Sequence, residues 1–200
     1  MCAISVGFFK FAALGVDPFQ SLMAGLDALI PIQFGTLYVI VNAVFLLFAL
    51  ILDRHYIGIA TFINLFLLGY IADYSLKLLV FLIPSPHIAI RIISLIIAVI
   101  MNCIAASLYI TANLGVSTYD AVALIIVNTW KKGKFRYVRI ITDFVCIIIG
   151  ITTFLLSGGK LIQIPTIVGI GTIITAFFMG PLIEFFNVHL SRKILGIKEK

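Results

Sequence analysis

Charge is what this chain has least of: 14 Lys+Arg and 8 Asp+Glu, 11% of 200 residues, against about a quarter in a soluble domain. So thin a polar inventory excludes a water-soluble fold, whose exterior must be covered by groups that water solvates. Cysteine is nearly absent too. Cys2, Cys103 and Cys146 lie apart in apolar stretches with no CxxC pair. That excludes a disulfide scaffold and a thiolate metal centre, and leaves them as small hydrophobes. His55, His87 and His189 are scattered near expected loop ends and read as interfacial groups, not ligands. No P-loop, HExxH or G-x-S-x-G pattern occurs. From these absences we expect no enzyme, no catalytic residue, no metal site and no cofactor. The N-terminus lacks the basic n-region and A-x-A-like site of a cleavable signal peptide.

Apolar residues are what is abundant: 62% of the chain, with a mean hydropathy of +1.23. Between short charged islands lie runs long enough to cross a ~30 Å hydrocarbon core, which takes about 20 helical residues. The lipid bilayer is therefore the partner this composition specifies, and the expected fold class is all-α, a polytopic transmembrane helical bundle. The net charge of +6 is concentrated. Lys131, Lys132, Lys134, Arg136 and Arg139 fall in one loop; Arg192, Lys193, Lys198 and Lys200 fall at the C-terminus. Basic residues so placed mark cytoplasmic segments of a multi-pass membrane protein. Loop 131–139 and the C-terminus are thus expected in the cytoplasm. This topological reading outweighs a lipid-headgroup patch, and no nucleic-acid partner is expected.

The chain also reads as an internal duplication. Leu14-Gly15-Val16-Asp17-Pro18-Phe19-Gln20 matches Leu114-Gly115-Val116-Ser117-Thr118-Tyr119-Asp120 at an offset of 100 residues. Ile57-Gly58-Ile59-Ala60-Thr61-Phe62-Ile63 matches Val168-Gly169-Ile170-Gly171-Thr172-Ile173-Ile174 at an offset of 111, a register that continues to Gly69/Gly180 and Asp73/Glu184. The added length falls largely in Ser157-Gly158-Gly159-Lys160, and Asn42 stands opposite Asp143. The repeats are placed at 1–86 and 87–200.

Each repeat reads as helix, break, short helix, helix, turn, helix. Long spans are expected at 1–14, 35–52, 57–82, 88–113, 137–156 and 165–189, about six in all. Two short helices are expected at 17–30 and 117–130. Asp17-x-x-Gln20 and Ser117-x-x-Asp120 fit the capping box, and Pro18 suits the first helical position. Fourteen residues give about 21 Å, short of a crossing, so the short helices are expected to be re-entrant or interfacial. Three crossings per repeat then put the copies in opposite orientations. The alternative is eight crossings with parallel copies. The first span, Met1 to Leu14, is itself short beside its counterpart and is expected to be truncated at its N-terminus.

Ionisable groups inside apolar helices are costly and mark functional sites or buried pairs. Asp143 and its counterpart Asn42 are candidates for contact with a small-molecule substrate, proton or ion. The structural alternative for Asp143 is an i,i+4 pair with Arg139 near the membrane surface. Asp73 and Glu184 are matched acids late in their helices. Asp73 can pair with Lys77, and Glu184 lies within about two turns of His189 and Arg192. Asp17, Ser117 and Asp120 stand at helix starts, where free N–H groups attract anions, although capping alone accounts for them. Gly58, Gly69, Gly169, Gly171 and Gly180, with Thr61 and Thr172, read as close packing faces. Asp27 in the first short helix is expected to face water.

Asn113-Leu114-Gly115-Val116-Ser117-Thr118-Tyr119-Asp120-Ala121, and Gly169-Ile170-Gly171-Thr172 through Gly180-Pro181-Leu182-Ile183, give the chain its resemblance to the YczE/YyaS/YitT family of bacterial membrane proteins. Thr118-Tyr119 replaces the Pro-Trp usual there. The resemblance implies a bacterial plasma-membrane protein and supplies no mechanism. Two functions remain open: a small secondary transporter or exporter, and a non-transporting membrane factor supporting the assembly or regulation of a protein partner.

Overall fold

The computed structural model describes residues 1–32 and 34–196, with the side chains of Phe34, Gly35 and Thr166 excepted. Lys198 and Lys200 of the C-terminal basic cluster lie outside the described residues. Helices run at α1 (Cys2–Ala12), α2 (Pro18–Leu29), α3 (Phe34–Asp53), α4 (Ile59–Leu82), α5 (Ile88–Ala112), α6 (Thr118–Leu124), α7 (Phe135–Leu156) and α8 (Ile170–Phe186). A π-helical turn, Ile125–Thr129, prolongs α6, and another, Asn187–Ser191, prolongs α8. Among the described residues there is no strand.

Among the described residues, five helices are long and apolar enough to cross a bilayer: Thr36–Tyr56, Ile59–Leu82, Ile88–Ala112, Phe135–Leu156 and Ile170–Ile194. The protein is a helical membrane bundle. The expected first span does not join these five. α1 has 11 residues, about 17 Å at 1.5 Å per residue. The outer surface is apolar in the way lipid demands: Ile51 and Phe81 are each 81% exposed, and Ile59 73%. In water such a surface would drive aggregation.

Helix directions follow from side-chain contacts. Ser5 of α1 donates to Asn102 of α5 at 3.2 Å, while Arg91, at the start of α5, donates to the carbonyls of Ala12 and Ala13 that end α1 (2.7 and 2.6 Å). α1 and α5 are therefore antiparallel. α5 and α8 are parallel: a Cβ on Gly171 would meet Leu95, and Ser107 bonds Ser191. Gly7 of α1 lies against Ala72 and Ser75 of α4. α2 packs on α7, and α3 on α6. Gly25 and Gly150 make the first of these a backbone-to-backbone contact, since a Cβ on Gly25 would stand 2.1 Å from Gly150 O.

The two glycine-bearing loops exchange partners. Gly171 N donates to Leu14 O at 2.7 Å, joining the loop after α1 to the start of α8. Ala60 N donates to Leu114 O at 3.1 Å, joining the loop after α5 to the start of α4. A Cβ on Gly169 would lie 2.3 Å from Leu14 O, and one on Gly58 2.3 Å from Leu114 O. Gly69 departs from the packing expected of it: none of the described residues lies within 4 Å of its Cβ position, and it is exposed. Asp27 is exposed as expected.

One end of the bundle gathers the turn after α3 and the end of α6. Thr129 donates to Asp53 at 2.7 Å, and Asn128 to the Tyr56 hydroxyl at 3.0 Å. Leu195 reaches the same end, where it shares a cavity wall with Ala60 and Leu114.

Candidate functional site

The loop after α1 turns at Gly15 (φ 114°) and the loop after α5 at Gly115 (φ 94°), a backbone region that only glycine enters without strain. Each turn delivers a capping residue. Asp17 accepts from Gln20 N at 3.1 Å to start α2, and the Ser117 hydroxyl accepts from Asp120 N at 3.0 Å to start α6. The first residues of the two helices meet inside the bundle, with the rings of Phe19 and Tyr119 stacked at 5.4 Å. A cavity of about 100 Å³ lies beside this stack, lined among others by Asp17, Phe19, Asn42, Tyr109, Asp120 and Arg139.

Arg139 organises the polar wall. Its guanidinium pairs with Asp120, stands 3.3 Å through Nε from Asp143 Oδ1, and lies 4.3 Å above the Tyr119 ring. Tyr119 donates to Asp143 Oδ1 at 2.6 Å, and Tyr109 and Ser117 donate to Asp120 Oδ2. Thr118 donates to Asn42 Oδ1 at 2.7 Å, while the Asn42 amide donates to Tyr38 O at 2.8 Å. Arg139 is 4% and Asp143 0% exposed. A buried ion pair in such surroundings survives only when further hydrogen bonds satisfy both partners. The satisfaction is incomplete here: Arg139 Nε lacks hydrogen-bond alignment despite its ion-pair distance, and among the described residues Asp143 Oδ2 has no hydrogen-bond partner.

The structure brings together Asn42, Asp17, Ser117 and Asp120 on the cavity wall. Asp143 joins the network from behind, touching Tyr119 and Arg139. Asp73 and Glu184 are elsewhere. Asp73 forms an exposed ion pair with Lys10 of α1 at 2.9 Å, not the expected pair with Lys77, because α1 packs beside that face of α4. Glu184 lines a separate pocket of about 250 Å³ between α7 and α8 with Arg136, Phe185 and His189. Of the two basic neighbours expected for it, Arg192 donates to Asn187 at 3.1 Å, and the His189 ring bonds Phe185 O while sharing that pocket wall.

Two further expectations are corrected. Arg139 is no loop residue, because α7 begins at Phe135, and its i,i+4 pair with Asp143 is buried rather than at the surface. The capping box at Ser117 is half made. Ser117 serves the Asp120 amide, but the Asp120 carboxylate turns to Arg139, Tyr109 and the Ser117 hydroxyl.

Residue-by-residue reading missed Arg139, Tyr109 and Thr118 as members of the site. The available signal was the Arg139–Asp143 spacing, one helical turn, which aims both at the same neighbour. Among the described residues no group of His, Cys, Asp or Glu is arranged to hold a metal ion.

Over residues 1–188 the chain matches a family described as "Family of unknown function (DUF6198)". No curated protein and no solved structure matches it. The match carries neither the YczE/YyaS/YitT name nor an activity, so that resemblance stands on the two glycine-bearing segments alone. By a match that spans nearly its whole length, this chain belongs to the DUF6198 family.

Proposed function

We propose that the chain is a small secondary transporter or exporter of the bacterial plasma membrane, built from two inverted repeats, 1–86 and 87–200. One observation carries the reading: a cavity with polar and charged side chains in its wall lies where the starts of two short helices meet, lined from both halves. Inverted-repeat transporters place their sites at such broken helices, where backbone and side-chain polarity is available inside the membrane. The antiparallel course of the matched helices α1 and α5 and the exchanged loops at Gly15/Gly169 and Gly115/Gly58 support the duplication and its inversion. α2, with 12 residues, and Thr118–Thr129 each extend about 18 Å, too short to cross. Arg54, Lys131, Lys132 and Lys134 belong to the end of the bundle that gathers the Arg54–Tyr56 turn and the end of α6, which supports a cytoplasmic placement for that end.

The test is reconstitution of the full chain in liposomes. Gradients of ammonium, methylammonium, guanidinium, sodium, acetate and glycerol are imposed in turn and followed by light scattering and an entrapped pH dye. Saturable, protein-dependent movement of any of them is expected. Fluxes equal to those of protein-free liposomes throughout would overturn the reading.

A non-transporting factor that assists a protein partner is the second reading. It draws on the sealing of Asp143 behind Tyr119, which suits a static core. A stoichiometric partner that co-purifies, together with no flux, selects it.

A further inference from the structure

The charges around the cavity do not balance. Asp17 and Asp120 on its wall, with Asp143 behind Tyr119, face a single cation among the described residues, Arg139. The other titratable groups on the wall, Cys2 of α1, Tyr38 of α3, Tyr109 of α5 and Tyr119 of α6, bring no positive charge, and α4 and α8 contribute only neutral residues such as Thr61, Asn64 and Met179. Ionised, the three carboxylates leave a formal excess of two negative charges. The starts of α2 and α6 offset about half a charge each. About one negative charge remains uncompensated inside a bundle that faces lipid, where an unpaired charge is expensive. The deficit has a visible location: Asp143 Oδ2, fully buried, accepts no hydrogen bond from the described residues.

The remaining walls suit a cation. Phe19, Tyr38, Tyr109 and Tyr119 are among the cavity's lining residues, and aromatic ring faces attract cations. Arg139 over Tyr119 already shows this contact. A cavity of about 100 Å³ holds several waters or a ligand of a few heavy atoms.

We propose that this cavity takes one small monovalent cation, inorganic or of the alkylammonium type, in exchange for one proton. The inference rests on the transporter reading for its purpose, but not for its binding step. The exchange is electroneutral. The empty form carries a proton on the carboxylate cluster, with Asp143 Oδ2 as the atom that holds it. Entry of the cation releases that proton to water, and departure of the cation takes one back.

The experiment is calorimetric titration of the purified full chain with sodium, ammonium and methylammonium chloride, in two buffers of different ionisation enthalpy. One cation bound per chain with about one proton released is expected. Asp17→Asn keeps a good helix cap and removes one charge. It should retain the melting temperature and weaken binding about tenfold or more. Asp143→Asn should abolish proton release. Three results overturn the inference: no cation binds, binding occurs without proton release, or folded Asp17→Asn binds as tightly as the parent. The liposome assay separates the two claims. Cation binding with proton release but no flux leaves the inference standing and removes the transporter. Movement of acetate or glycerol, with no cation-linked proton movement, does the reverse.

Discussion

Phe19 and Tyr119 stack on one another, ring centroids 5.4 Å apart and planes inclined by 26°, although 100 positions separate them in the chain. They hold the same place in the two matched segments, one residue after the start of a short helix. The contact brings both helix starts to one point, and everything polar in the site hangs from it. The Tyr119 hydroxyl reaches Asp143, its ring carries Arg139, and its neighbours Thr118 and Asp120 engage Asn42 and Arg139.

Tyr119→Phe preserves the stack and deletes one donor. Asp143 Oδ1 then keeps only its unaligned approach to Arg139 Nε. We expect a loss of about 1–3 kcal/mol, the cost of leaving a buried acceptor short of a partner, read as a lowered melting temperature in detergent.

Arg139→Met strands Asp120 and Asp143 in the interior. Breaking a buried pair from one side costs about 3–5 kcal/mol, enough to consume much of a typical folding free energy. Adding Asp120→Asn and Asp143→Asn to Arg139→Met removes the stranded charges and should recover much of the loss. If single and triple variants melt alike, the network is not an electrostatic unit.

The glycines separate by position. Gly58→Ala and Gly169→Ala drive a Cβ to 2.3 Å from a backbone carbonyl, and neither carbonyl can swing aside. Each should cost at least about 1–3 kcal/mol and reduce the yield of folded protein. Gly69→Ala meets nothing and should hold or raise stability by up to about 1 kcal/mol. Parallel expression and melting of the three variants checks the order.

Orientation is read with engineered cysteines in intact cells. The α4–α5 connection and the α7–α8 connection lie at the end of the bundle opposite to the Arg54–Tyr56 turn. Ser85→Cys and Lys160→Cys should therefore react with an impermeant maleimide applied outside. Lys131→Cys should react only after the membrane is opened. External labelling of Lys131→Cys would reverse the assignment.

The all-helical membrane fold was legible because its causes are local. Apolar runs set the long helices, and Gly15, Asp17, Gly115 and Ser117 punctuate the short ones through backbone chirality and capping, which act over a few residues. The site was legible in part. Asp17, Asn42, Ser117, Asp120 and Asp143 could be singled out, since a polar side chain in an apolar run carries its cost wherever it lands. Only the tertiary structure decided what meets what. It moved Arg139 from a basic loop into the centre, because a neighbour 19 residues away, Asp120, and the ring of Tyr119 receive it. It set Asp73 and Glu184 aside, since the faces of α4 and α8 that carry them pack on α1 and α7 and not on the cavity. Hydropathy and spacing are properties of one helix at a time. The pairing of charges depends on how α2, α6 and α7 are brought together, and no single segment contains that information.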